Sequence, residues 1–193
     1  MDEPFANIDI ALRRRLREDI RHLLKAKNMT AIMVTHDPEE AMELGDKIAI
    51  MEGGEIVQMG RPDMIYHAPR SLAVARLTCD GAVLRATRQG HMITSDFGHW
   101  AVEDKMLNGI TDQLDLYLRP LSAQLSAGDV GDDGDKPIVT IADIRQTGPL
   151  QIVTLQSASG ARLSLQLAGL PQWYIGQIVH LVPDFSKALL FPA

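Results

Sequence analysis

Two adjacent carboxylates, Asp2 and Glu3, precede Pro4, and an imidazole, His36, stands between Thr35 and Asp37 further along the chain. Transfer of a phosphoryl group to water needs a carboxylate that polarises the attacking water and a hard oxygen donor for a cation bridging phosphate oxygens. It also needs a positive or hydrogen-bonding group where charge accumulates. An acidic pair followed by a distant histidine offers residue types for all three roles, as in the second half of a nucleotide-hydrolysing domain. A glycine-rich loop of the form G-x-x-x-x-G-K-[ST], whose amides would cradle the phosphates, occurs nowhere in the 193 residues. Each residue also has a plainer reading: Asp2 and Glu3 as an acidic terminus, His36 as a satisfied histidine at a sheet end.

The elements that must position these side chains are legible nearby. Leu12, Leu16, Ile20, Leu23 and Leu24 recur at helical spacing, which predicts an amphipathic helix over 10–27 with Asp9 as its N-cap. The run TAIMVT over 30–35 predicts a buried strand of a parallel sheet that ends at His36, where ligand sites of such sheets lie. Asp37-Pro38-Glu39-Glu40 combines a cap, a proline for the first helical position and two acids near the positive end, so a short helix should run to about Leu44. Strands over 47–51 and 55–59 should form a hairpin across Gly53-Gly54. Helical segments should follow over 62–66 and 71–77.

Beyond residue 77 the pattern changes to short alternating runs over 82–87, 91–94, 114–118, 139–145, 152–156, 163–167, 178–182 and 189–191. Such spacing predicts an all-β barrel or sandwich. The polar, glycine-rich stretch over 126–137 should be a mobile loop dividing the β region into two parts. The expected fold is thus an α/β portion over 1–77 and a separate β domain over 78–193.

Composition narrows the function. A formal charge of −6 argues against a free-standing nucleic-acid binder. The one dense basic run, Arg13-Arg14-Arg15-x-Arg17, reads as a solvated helix face. The single cysteine, Cys79, excludes an internal disulfide framework and agrees with a reducing compartment. No apolar stretch approaches the ~20 residues that a spanning helix needs, so a membrane connection must come through a partner. Asp129, Asp132, Asp133 and Asp135 lack the spacing of a calcium loop. The histidines lack metal-ligand spacing. Trp100, Trp173 and Tyr174 read as core or interface anchors.

Taken in order, these motifs carry a family resemblance. Asp2-Glu3-Pro4-Phe5-Ala6-Asn7-Ile8-Asp9 resembles the end of a Walker B motif running into a D-loop. Val34-Thr35-His36-Asp37 resembles the switch-histidine segment, and Gly53-Gly54-Glu55-Ile56-Val57-Gln58-Met59-Gly60 the hairpin that follows it. The chain is similar to ATP-binding subunits of ABC importers, in the branch that includes maltose, polyamine, sulfate and ferric-iron systems. Leu114-Asp115-Leu116-Tyr117-Leu118-Arg119-Pro120 resembles a strand of that branch's OB-like regulatory (TOBE) domain, and residues 176–181 its late glycine-then-strand element.

The resemblance implies an α/β remnant of a P-loop ATPase domain followed by an all-β OB-like barrel. It implies ATP and Mg²⁺ as cofactors, with Asp2 in the metal shell, Glu3 as general base and His36 contacting the γ-phosphate. Asn7 and Asp9 would lie where two ATPase subunits meet, although Asp9 also reads simply as a helix cap. The implied partners are a second ATPase subunit, transmembrane permease subunits and, indirectly, a substrate-binding protein, with no nucleic acid. The implied location is the cytoplasmic face of the inner membrane, held peripherally.

Walker A, the glutamine loop and the signature sequence are absent from these residues. The expectation is therefore a C-terminal part of such a subunit, inactive alone, with apolar surface over 1–60 left exposed or rearranged. A non-catalytic regulatory or interaction module of the same ancestry is the alternative.

Overall fold

The computed structural model of the chain describes residues 1–5, 8–127, 139–169 and 172–193. Asn7 and the four aspartates over 129–135 lie outside the described residues. The chain divides into two compact units, Met1–Thr78 and Cys79–Ala193.

In the first unit, helix α1 (Ile10–Ala26) starts where the Asp9 side chain accepts from the Leu12 amide. It stops in a Schellman arrangement: Asn28 takes a left-handed φ of 49°, its amide donates to the Lys25 carbonyl, and the Met29 amide donates to the Leu24 carbonyl. Helix α2 (Pro38–Leu44) starts at Asp37, whose carboxylate accepts from the amides of Glu39 and Glu40. Strands β1 (Ile48–Glu52) and β2 (Glu55–Gly60) pair antiparallel across Gly53 and Gly54. Both glycines have positive φ, as a two-residue primed turn requires. Helices α3 (Pro62–His67) and α4 (Leu72–Thr78) complete the unit. Ile48, Ile65 and Val74 form its small apolar core. The buried Gln58 amide fixes the turn between the last two helices, donating to the Ala68 carbonyl and accepting from the Arg70 amide.

The buried strand expected over 30–35 is not what forms. The segment makes one isolated parallel bridge, Asp2 with Val34, and Ile32 is 80% exposed. A parallel strand is buried only when neighbours flank it and helices cover its faces. Here residues 1–3 lie along one side, and among the described residues the amides and carbonyls of Met33 face no backbone partner. The expected apolar exposure is present, since Leu12, Leu23, Met29, Ile32 and Val34 all face solvent.

The second unit is all-β. Strands β3 (Ala82–Gln89), β4 (Met92–Ser95), β5 (Gly98–Ala101), β6 (Gln113–Leu118), β7 (Ala123–Ala127), β8 (Val139–Thr147), β9 (Leu150–Ser157), β10 (Arg162–Ala168), β11 (Ile178–Pro183) and β12 (Leu189–Pro192) form two five-stranded sheets. One has the order β12-β6-β3-β4-β5 and the other β10-β9-β8-β11-β7. The alternation in β9 and β10 turns Val153, Leu155, Leu163 and Leu165 inward, where they join Leu84, Ile93, Leu114 and Leu116 of the first sheet in one core.

Strands β5 and β7 were not expected. Gly98-His99-Trp100-Ala101 is too short and mixed to show a period. Residues 126–127, assigned from sequence to a loop, are held in β7 by pairing with Val179 and His180 of β11. Trp100 is a packing anchor: its indole donates to the Leu181 carbonyl and its ring meets Phe185 edge-on.

Tyr117 ties the start of this unit to its centre. Its fully buried hydroxyl donates to the Cys79 carbonyl and accepts from the Gly81 amide at 3.0 Å. Only glycine fits at 81, because a Cβ there would meet the Tyr117 ring at 2.5 Å and the Leu118 carbonyl at 2.7 Å. Tyr117→Phe leaves the Cys79 and Gly81 groups without their partner and is expected to cost about 1–3 kcal/mol. Both tryptophans lie in this unit, so urea unfolding followed by their fluorescence isolates it. An unchanged midpoint would show that these hydrogen bonds do not anchor it.

Candidate functional site

Residues 1–3 run parallel to 32–34, the Val34 amide donating to the Met1 carbonyl at 2.9 Å and the Glu3 amide to the Val34 carbonyl at 2.8 Å. The two segments therefore end side by side. Glu3 and His36, 33 positions apart in sequence, meet there, with His36 Nδ1 2.8 Å from Glu3 Oε1. Glu3 has a φ of 40°, a left-handed conformation that a non-glycine residue avoids unless its surroundings impose it. The ring is open to solvent, with 79% of its side chain exposed against 48% for Glu3.

Phe5 is buried beneath this corner, and a cleft opens beside it, bordered by Glu3, Arg13, His36, Asp37 and Glu40. Asp2 is exposed, and among the described residues its carboxylate makes no hydrogen bond or ion pair. A lone hard oxygen donor suits Mg²⁺ that takes its remaining ligands from phosphate and water. The described residues hold no group of three or more His, Cys, Asp or Glu placed to bind a metal by themselves. Asp9 caps α1, and its Oδ1 accepts from Leu12 at 3.0 Å.

Beneath the imidazole lies a charged network that sequence reasoning missed. Arg17 is 5% exposed and Glu40 4%. Arg17 Nη2 reaches Asp37 Oδ2 at 2.7 Å and Glu40 Oε1 at 3.1 Å, while Arg13 Nη1 lies 3.7 Å from Asp37 Oδ2. Thr35 Oγ1 donates to Glu40 Oε2 at 2.6 Å and accepts from the Asp37 amide at 3.0 Å. The basic run is therefore not uniformly a solvated face: Arg14 and Arg15 are exposed, but Arg17 faces α2. Its position one turn from Arg13, on the side of the helix away from Arg15, was the available signal. Burial pulls the Arg17 pKa down, but the hydrogen bond with Glu40 and the charges of Asp37, Glu40 and Glu43 outweigh it and raise the value.

The hydrogen bond that the ring Nδ1–H donates to the Glu3 carboxylate, reinforced by the carboxylate's charge, raises the His36 pKa above the ordinary 6.5. The proton on Nδ1 is directed at the carboxylate, which leaves Nε2 facing outward. For a raised histidine, the imidazolium–carboxylate attraction is fully present below 6.5 and is lost as pH rises through the raised value. An NMR titration of the His36 ring should give a midpoint above 6.5, and Glu3→Gln should bring it down towards 6.5. Identical midpoints in the two proteins would show that the pair does not form in solution.

Comparison with known proteins places this geometry in context. No protein-family model matches the chain. The Fe(3+) ions import ATP-binding protein FbpC of Pseudomonas fluorescens is 31% identical over 183 residues, covering 94% of this chain and 51% of its own. The sulfate/thiosulfate import ATP-binding protein CysA of Mannheimia succiniciproducens is 29% identical over 95% of this chain and 53% of its own. A second FbpC, from Rhodococcus jostii, is 30% identical over 100% of this chain and 55% of its own. The chain thus spans about half the length of the curated relatives it matches. Among solved structures, the cytoplasmic molybdate-binding protein ModG aligns with a TM-score of 0.43 and 13% identity, over 57% of this chain and 95% of that one. The chain is homologous to the ATP-binding subunits of ABC importers over the half of their length that it spans.

Proposed function

We propose that this chain is part of the ATP-hydrolysing subunit of an ABC import system and carries the water-activating half of its nucleotide site. The observation that carries the reading is the 2.8 Å contact between Glu3 and His36 at the ends of two adjoining parallel segments. In this reading the Glu3 carboxylate accepts a proton from the water that attacks the γ-phosphorus. His36 keeps Nδ1 on Glu3 and presents Nε2–H to a phosphoryl oxygen, where negative charge gathers. Asp2 holds the Mg²⁺ shell, and the ion, when bound, offsets charge on the phosphate oxygens. Asp9 lies at the contact with a second ATPase subunit.

The units divide the work: 1–77 belong to the ATPase domain, and 78–193 form its OB-like regulatory domain. The partners are a second copy of the subunit and the membrane permease subunits. They hold the protein at the cytoplasmic face of the membrane. No helix among the described residues is long and apolar enough to cross a membrane.

The 193 residues by themselves do not hydrolyse ATP in this reading, because no segment supplies phosphate-cradling amides or a phosphate-loop lysine. Supplying a polypeptide with the phosphate-loop and signature segments of a relative should restore hydrolysis. Glu3→Gln should then lower kcat about 10²–10⁴-fold. Calorimetry on the chain alone should show no micromolar binding of MgATP. Micromolar binding by the chain, or a restored activity indifferent to Glu3→Gln, overturns the reading. The alternative, a non-catalytic regulatory module, is favoured by the separate core of Cys79–Ala193. It predicts effector binding by the protein without any gain of hydrolysis on complementation.

A further inference from the structure

An imidazole exposed to solvent cannot be aimed by packing. Its direction is set by the backbone beneath it and by the few groups it touches. His36 meets Glu3, and nothing else is hydrogen-bonded to its ring among the described residues. Its two sequence neighbours, in contrast, are both fastened from below.

On one side, the Thr35 hydroxyl donates to Glu40 Oε2 and accepts from the Asp37 amide, so it spans residue 36 and links it to α2. On the other, Asp37 Oδ2 takes the Arg17 guanidinium at 2.7 Å while its Oδ1 accepts from the Glu39 amide at 2.9 Å. Arg17 also reaches Glu40, at 3.1 Å. Arg17, Glu40, Thr35 and Asp37 thus close a ring of hydrogen bonds, Asp37 joining it through both its carboxylate and its backbone amide, and His36 is the residue carried on its outer edge.

We infer that Thr35, Glu40 and Arg17 are positioning residues, which clamp the backbone on both sides of His36 so that its ring is held against Glu3. The inference rests on the proposed nucleotide site and adds to it residues that touch neither water nor phosphate. The charged groups facing the imidazole are Glu3, Asp37 and Glu40, with Arg13 next to Asp37. None of them other than Glu3 is bonded to the ring, but the charges of Asp37 and Glu40 also raise its pKa, so Thr35→Val, which removes no charge, is the change that isolates geometry.

A buried ion pair is weak evidence for a stabilising role, since apolar residues of similar volume often serve a core as well or better. What a closed polar ring provides is a fixed direction for the groups attached to it. Arg17 Nη2 meets Asp37 and Glu40 at once while Nη1 lies 3.6 Å from Glu39 and 3.7 Å from Glu43, a spread of four acids over two nitrogens that a single lysine ammonium does not reproduce.

Thr35→Val keeps the shape of the side chain and removes the hydroxyl that bridges residue 36; Thr35→Ser restores the hydroxyl. In the complemented ATPase, Thr35→Val should lower kcat at least ~10-fold and leave the KM for ATP nearly unchanged, with Thr35→Ser close to the parent. Arg17→Lys should act in the same direction. In the 193-residue chain, Thr35→Val should move the His36 titration midpoint down towards 6.5.

A Thr35→Val protein that is less heat-stable but keeps the parent midpoint and kcat overturns the inference, leaving the ring a structural brace. An ATPase sensitive to Glu3→Gln and insensitive to Thr35→Val overturns the clamp and spares the proposed function. Insensitivity to Glu3→Gln removes the function itself. The titration on the chain alone decides whether the clamp exists even if complementation yields no activity.

Discussion

A guanidinium withdrawn from water must find partners, and the way Arg17 finds them organises the whole first unit. Its stem leaves α1 on the side that faces α2, and its head meets Asp37 and Glu40, one at the cap of that helix and one in its first turn. An uncompensated buried charge costs more than most local rearrangements, so the two helices are locked in register by this cation. The turn 35–37 lies between the segment ending at Val34 and the helix so fixed. A second constraint, the backbone bonds between residues 1–3 and 32–34, delivers Glu3 to the same place. The corner where Glu3 meets His36 is the intersection of these two constraints.

The two units rest on different physics. In Cys79–Ala193 the core is apolar and continuous, drawn from both sheets, with Tyr117 as its main polar tie. In Met1–Thr78 the apolar cluster is three buried side chains with a few partly buried neighbours, Phe5 being buried apart from it, and apolar groups such as Ile32, Val34 and Leu23 remain in water. Polar connections carry much of the definition there: the Schellman closure of α1, the Asp37 cap, the Gln58 amide and the Arg17 ring. Directional bonds can specify a geometry without supplying much net stability. A unit built this way suits association with further polypeptide that covers its apolar face, and the proposed function needs that association.

What could be read from the sequence followed from how local each signal is. α1, α2 and the hairpin were readable because Asp9, Asp37-Pro38 and Gly53-Gly54 act within a few residues of themselves. The alternation in β9 and β10 was readable because half of each strand faces the core. The run over 30–35 misled, since an apolar stretch announces a buried strand but says nothing about whether neighbours are present to bury it. β5 and β7 were invisible for the opposite reason: their own residues carry little preference, and pairing with β4 and β11 decides their state. At the site, residue type and order single out Asp2, Glu3 and His36, of which the structure brings Glu3 and His36 into contact, and Asn7 falls outside the described residues. From sequence, Glu40 reads as an acid favouring the start of α2, Thr35 as the end of a strand and Arg17 as part of a solvated face. A hydrogen-bonded ring across 17, 35, 37 and 40 has no sequence period to betray it.

Charge explains why the proposed site is incomplete in a way that a missing motif alone does not. The cleft is bordered by the carboxylates of Glu3, Asp37 and Glu40 and the guanidinium of Arg13, with Arg17 behind Asp37 and Glu40 and with His36 adding a positive charge only when protonated. Two of the carboxylates, Asp37 and Glu40, are already committed to Arg17, so the acid of the cleft left for a ligand is Glu3, which itself holds His36. A triphosphate approaching such a surface is repelled unless a divalent cation and a phosphate-binding loop come with it. The Glu3 bond that raises the His36 pKa is a partial answer, since it keeps a positive edge on the ring at a pH where a free imidazole would lose it. One imidazolium cannot offset a triphosphate, and the proposed function takes the remaining positive field from the complementing polypeptide. Under the proposed function, this corner would activate water once phosphates are held there but would not capture them, a division of labour in which neither half of the site would work without the other.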